Sequence, residues 1–314
     1  MRPVFRVKTP GAHTTIQDRG RFAYQHMGVP VSGALDPFAF RVANMLVGNP
    51  LDAAALEITF AGPQLEVLSQ ADIGITGADM RAWANGNPIH CWQSVRIQPG
   101  SILIFGQARE GCRTYLAVNG GFHVPTIMGS RSTYSAGRLG GLEGRPLKAG
   151  DILMMGAGEL LRKPRRLPWR PRYPDAITLR AVPGPQDDYF VTDMGIFFSS
   201  DYTVSSLANR MGYRLEGPSI QRDPGCPESI VSEPSITGNI QIPPDGKPII
   251  LLVEQTIGGY AKIATVITPD LFKIAQAKPG DNIRFWRVSL EEAHHAYRRW
   301  SAFVEDIEGA IQDF

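Results

Sequence analysis

Cysteine is scarce in this sequence: Cys91, Cys112 and Cys226 are the only three in 314 residues, and none stands in a CxxC or Cys/His spacing. An odd number so scattered excludes a disulfide framework and offers no structural zinc site, so all three read as packing residues. Long apolar runs are missing too. No stretch reaches bilayer length, and the opening MRPVFRVKTPGAHTT lacks the apolar segment of an export signal, which predicts a cytoplasmic protein. A charge excess is also absent: 32 basic against 30 acidic residues leave a formal +2, too balanced for a nucleic-acid partner. There is no GxxxxGK[ST] loop, no GxGxxG, no HExxH and no GxSxG, which removes the usual nucleotide, zinc and serine-hydrolase readings. His123, His294 and His295 lack ligand spacing, so no metal is expected. Any chemistry falls to carboxylates, amides, arginines and a lysine.

What the chain has in plenty is glycine and proline, 33 and 25 residues, among short runs rich in Val, Ile and Leu. That pattern predicts strands joined by tight turns, and the length exceeds one ordinary core. The halves share landmarks in one order. Gln17-Asp18 returns as Gln186-Asp187, Met27-Gly28 as Met194-Gly195, and Asp36 with Ala43-Asn44 as Asp201 with Ala208-Asn209. Leu56-Glu57 returns as Leu215-Glu216, GNPI at 86 as GKPI at 246, and PGSILIF at 99 as PGDNIRF at 279. Drifting offsets mean loop insertions, and the series predicts two similar β-domains in tandem. The expected boundaries are 1–159 for a first domain with a glycine-rich extension and 160–176 for a basic, proline-rich linker. A second domain is expected over 177–288 and a C-terminal helix over 289–314.

Local signals sharpen this. Asp36 as N-cap, Pro37 at N1 and Phe38, Val42, Met45 and Leu46 on one face predict a short helix ended at Gly48. Thr268 and Pro269 predict another, with Asp270 serving its dipole, and Ser289 with Glu292 forms a capping box for the last. The extension at 118–151 contains GSRST, either a nest for a carboxylate or phosphate or an elaboration that only turns corners. In the second half, Gly258-Gly259 allows close backbone approach, Tyr260 offers a stacking face and Lys262 a cation. Gln241 alternates with Ile240 and Ile242 and so faces opposite them.

The strings TTIQDRGR, GVPVSGALD, GGFHVPTIMGSRST, GGLEGRPLKAGD, NRMGYRLEGP, GNIQIPPDGKPIILL and QTIGGYAKIATVI, in this order, resemble the biotin-dependent carboxyltransferase family, formerly allophanate hydrolase subunit 2. The family includes the C component of bacterial ATP-dependent 5-oxoprolinase, an antagonist of a sporulation kinase inhibitor, and the carboxyltransferase domain of urea carboxylase. The resemblance implies a mainly β fold of two cyclophilin-like β-barrels in tandem, and a partner, the KipI-like B component of 5-oxoprolinase, in a heterotetramer. A separate A component would supply the ring-opening chemistry. It implies ATP-driven hydrolysis of 5-oxo-L-proline to L-glutamate, with ATP bound by this chain or by the complex. The rival readings are carboxyl transfer from carboxybiotin, with biotin as cofactor, and a binding module without catalysis. The chain itself has no biotin-carrier segment.

On these grounds the expected catalytic residues are Asp18, Arg131 and Lys262. The expected substrate-binding residues are Gln17, Arg21, Ser132, Thr133, Arg214, Gln241, Gly258, Gly259 and Tyr260, lining a cleft shared by the two copies. Arg131, Ser132 and Thr133 would hold an anionic carboxylate or phosphate, while Arg214, Gln241, Tyr260 and Lys262 would orient the lactam or its activated form.

Overall fold

The computed structural model describes residues 1–314, which divide into two compact units. The first comprises Met1–Arg21, Ser32–Tyr173 and Val304–Phe314, the second Phe22–Val31 and Pro174–Phe303. The architecture is mainly β, as the turn-rich sequence predicts.

The first unit holds a six-stranded and a seven-stranded sheet. In the smaller sheet, strands Arg2–Thr9 and Gln64–Val67 mix buried and open positions, the mark of one wet face, and a register shift between Pro3 and Phe5 leaves Val4 and Phe5 buried in succession. The larger sheet differs: Ala71–Gly77 and Arg113–Val118 are buried at every position. Helix Pro37–Leu46 covers the second face of those strands, and Thr76 Oγ1 donates to the helix carbonyl of Ala39 at 2.6 Å. Between the sheets, Phe5, Leu56, Ile58, Leu65, Ile73 and Leu116 belong to one buried cluster. The helix begins as the sequence predicts, Ala39 N–H donating to Asp36 Oδ1 at 3.0 Å. The stretch that reads as a linker contributes a strand, Arg165–Arg166, between Gln93–Ile97 and Gln312–Asp313 of the larger sheet.

The second unit is a closed barrel of seven strands. Their order is Ala176–Pro183, Lys262–Val266, Asn239–Gln241, Ile249–Leu251, Gly212–Glu216, Asp201–Val204 and Asn282–Arg287, closed by parallel pairing of the last with the first. Phe197, from the short helix Met194–Ser199, stacks on Phe285 at 4.6 Å and helps fill the core. A separate two-stranded ladder pairs Glu233–Pro234 with Ile257–Gly258. The capping box is in place, Glu292 N–H donating to Ser289 Oγ and Ser289 N–H to Glu292 Oε2.

Two local expectations fail. Thr268 is no N-cap: residues Thr268–Asp270 form a 3-10 turn, and helix Leu271–Ala275 follows. Asp270 is buried and clamped to Arg180 through three hydrogen bonds of 2.8 to 2.9 Å, so it anchors a strand rather than serving a helix dipole. The landmark pair Asp36 and Asp201 also marks different elements, a helix cap in one unit and the first residue of a strand in the other.

Candidate functional site

The polar stretch that follows strand His13–Gln17 turns on Asp18, which is 7% exposed. Its Oδ1 accepts from Gly20 N–H, Ser130 Oγ and Ser132 Oγ at 2.8, 2.7 and 2.5 Å, and its Oδ2 from Arg131 N–H at 2.5 Å. Asp18 thus gathers the GSRST loop onto the end of the strand. Ser132 and Thr133 are fully used in this task. Ser132 Oγ also accepts from Asp18 N–H at 2.9 Å, and Thr133 Oγ1 donates to Ile16 O at 3.0 Å. Neither hydroxyl is open to an anion, contrary to the role expected of them.

Arg21 is also buried, and its guanidinium staples the loop from below, donating to Ile127 O at 3.1 Å and Ser132 O at 2.9 Å. Gly140 makes room for it: a Cβ there would lie 2.1 Å from Ser132 O and 2.7 Å from Arg21 Nη2. Burial pulls the Arg21 pKa down, against the opposing field of Asp18. Two atoms in this region are buried without partners, Arg21 Nη1 and Gln17 Oε1, although Gln17 Nε2 reaches Thr15 Oγ1 and Thr133 O. Arg131 Nε donates to Val124 O, and the residue lines a cavity of about 380 Å³ with Asp18, Arg19, Asn49, Asp52 and Thr126.

In the second unit the barrel wall presents two kinds of row. Tyr213, Ile250 and Ile240 pair across three strands and are buried. One residue along, Arg214, Ile249, Gln241 and Lys262 pair across four strands and face the other way, as alternation requires. Gln241 and Lys262 are nevertheless 5% and 1% exposed. The ladder Glu233–Pro234 with Ile257–Gly258 touches both: Lys262 Nζ donates to Glu233 Oε1 at 2.6 Å, and a Cβ on Gly258 would lie 2.3 Å from Gln241 Nε2.

Gln186 completes the group. Its Oε1 accepts from Lys262 N–H at 3.0 Å, and its Nε2 donates to Glu233 Oε1 at 3.1 Å. The hydrogen bond from Lys262 holds the Glu233 carboxyl below its ordinary range, against a smaller opposing effect of burial. Gln241 Nε2 is a buried donor with no partner, and the acceptor Gln255 Oε1 and the hydroxyl Ser235 Oγ, in residues flanking the ladder, are likewise buried without partners.

The expected residues therefore fall into two sets, each gathered by its own unit: Gln17, Asp18, Arg21, Arg131, Ser132 and Thr133 in one, Gln241, Gly258 and Lys262 in the other. Arg214 shares the row of the second set but is paired with Asp245 at 2.9 Å. Gly259 and Tyr260 lie past the end of the ladder, with Tyr260 40% exposed. Glu233 and Gln186 were missing from the expected set. Gln186 stood out only as a repeat landmark, and no local signal marks Glu233.

Residues 27–287 match the family described as carboxyltransferase domain, subdomain A and B. The chain belongs to that family. The chain is 37% identical over 303 residues to the C component of 5-oxoprolinase from Escherichia coli K12, covering 95% of each chain. It is 34% identical to urea amidolyase of Lachancea kluyveri, spanning 98% of this chain but 18% of the relative. Among solved structures, the K. lactis urea amidolyase superposes with a TM-score of 0.88 at 30% identity, over all of this chain and 20% of that one. The chain thus spans about a fifth of the amidolyases it matches. No helix in it is long and apolar enough to cross a membrane.

Proposed function

We propose that the chain is the C component of an ATP-dependent 5-oxoprolinase, hydrolysing 5-oxo-L-proline to L-glutamate together with the KipI-like B component and the A component. The observation that carries this is coverage in both directions: 95% of this chain matches 95% of the E. coli 5-oxoprolinase component. The barrel-wall row supports it chemically. A lactam bearing a carboxylate offers a carbonyl oxygen to the orphaned Gln241 Nε2 and an anion to the buried Lys262. As negative charge grows on the lactam oxygen, donors fixed in a dry site stabilise it more than water does.

The cavity at Asp18 and Arg131 does not fit a triphosphate. Asp18 and Asp52 balance Arg19 and Arg131 around it, and Arg19 and Asp52 already pair at 4.0 Å. ATP chemistry is accordingly assigned to the assembled complex, and no step on this chain runs through it.

Full-length superposition on the K. lactis urea amidolyase favours a second reading, carboxyl transfer from carboxybiotin. A buried amide donor beside a buried ammonium fits the ureido carbonyl and carboxyl group of that cofactor, which when bound would supply the transferred carboxyl. Lys262 and Gln241 would then hold and orient it.

Co-expression with the A and B components, followed by ATP-dependent release of glutamate from 5-oxo-L-proline, separates these readings. Release should depend on this chain. Unchanged release when the chain is left out removes the 5-oxoprolinase reading, and a biotin-dependent signal with urea installs the second.

A further inference from the structure

Lys262 is almost fully enclosed, and an enclosed ammonium left without a counter-charge is strongly disfavoured. As an ammonium it needs a carboxylate beside it, and in this structure Glu233 supplies it. The two partners are unlike each other. The Lys262 side chain is 2% exposed and sits on the barrel wall, whereas that of Glu233 is 40% exposed and comes from a ladder outside the barrel.

That ladder is slight: two residue pairs, with Val231, Ile236 and Ile257 beside or within it exposed by 90%, 61% and 61%. Few buried apolar contacts hold such a strip, which places it at the low-stability end of a fold. Three buried polar atoms at the ladder have no partner: Gln241 Nε2, which lies against Gly258, and Ser235 Oγ and Gln255 Oε1, in residues flanking its two strands. Buried polar groups are seldom left unpaired, and a cluster of them marks where a ligand or water completes the set. Gln186 Nε2 already points a donor at the same carboxylate that Lys262 holds.

We propose that Glu233 is an internal stand-in for a ligand carboxylate: a compound carrying a carboxylate and a second carbonyl or carboxyl oxygen displaces Glu233 from Lys262 and Gln186, while that second oxygen accepts from Gln241 Nε2. The identity of the lactam rests on the function proposed above; the exchange of one carboxylate for another does not. Because Lys262 keeps a counter-charge throughout, the exchange avoids the penalty of stripping a buried ion. The side chain of Glu233, freed from it, returns to water at little cost. Glu233 then acts as a tethered competitor, and the apparent affinity for the ligand falls by the fraction of time that Lys262 is unoccupied by it.

The test is calorimetric titration of the full-length chain with 5-oxo-L-proline, with its uncharged carboxamide, and with glutarate, comparing wild type and Glu233→Gln. Glutamine keeps an acceptor for Lys262 but no charge. The expected result is binding of the carboxylates about tenfold tighter by Glu233→Gln, no change for the carboxamide, and loss of carboxylate binding in Lys262→Met. Equal or weaker binding of both carboxylates by Glu233→Gln overturns the proposal, as does no binding of either by either protein. Tightening for glutarate with none for 5-oxo-L-proline upholds the exchange and sinks the lactam reading instead. Should the variant not fold, the unaltered chain gives the answer through the ¹³C resonance of the Glu233 carboxyl. A shift toward a free, hydrated carboxylate on saturation with 5-oxo-L-proline or glutarate is expected, and an unmoved resonance overturns the proposal.

Discussion

Asp18 and Lys262 are both buried and charged, but they are used differently. Asp18 spends its two oxygens on four donors, three of them from Ser130, Arg131 and Ser132, so its charge organises a loop. Replacing it with Asn turns one oxygen into a donor that faces another donor. Asp18→Asn is therefore expected to lower stability by about 1–3 kcal/mol, read as a fall in melting temperature together with lost turnover in the complex. A variant that melts like wild type while losing turnover would return Asp18 to a chemical role. The sequence could nominate Asp18 because acid, amide and arginines cluster there among glycines. It could not show that the hydroxyls of Ser132 and Thr133 were already committed, since their partners Asp18 and Ile16 lie 114 and 117 positions away.

At the scale of elements, local signals were reliable where the partner is local. Asp36 caps Pro37–Leu46, and Ser289 with Glu292 caps the last helix, because both motifs satisfy N–H groups within three residues. Asp270 looked like the same kind of signal and is not, because Arg180, 90 positions away, claims its carboxylate. Burial opposes ionisation of Asp270, but hydrogen bonds from Arg180 and Lys273 outweigh it and hold its pKa below the ordinary value. A carboxyl with a depressed folded pKa stabilises the fold above its unfolded pKa, about 3.9, and the stabilisation is lost as pH falls through the lower folded value. Thermal denaturation from pH 6 to pH 2 should show wild-type stability dropping below about pH 4. Asp270→Asn should be less stable at pH 7 and lose less over that acid window, and parallel profiles would show that Asp270 does not contribute.

For the whole molecule, the proposed function turns on whether the complex uses 5-oxo-L-proline or carboxybiotin. Avidin added to the assembled complex distinguishes the two enzymatic readings. ATP-dependent glutamate release should be unaffected, because neither the lactam nor its hydrolysis involves biotin, and inhibition would move the chain to the carboxybiotin reading.

What the sequence determined by itself was the mainly β fold, the capped helices and the family, all of which depend on short-range spacing of apolar, turn and motif residues. It also pointed to Gln241, Gly258 and Lys262, through alternation along one strand and glycines beside a cation. Only the tertiary structure decided that Gln241 and Lys262 share a row, that Gly258 lies against the amide of Gln241, and that Glu233 and Gln186 close on the lysine. Strand register and burial bring those groups together from positions up to 76 residues apart. Whether a polar side chain is spent inside the fold or left for a ligand depends on such distant partners, which no local pattern specifies.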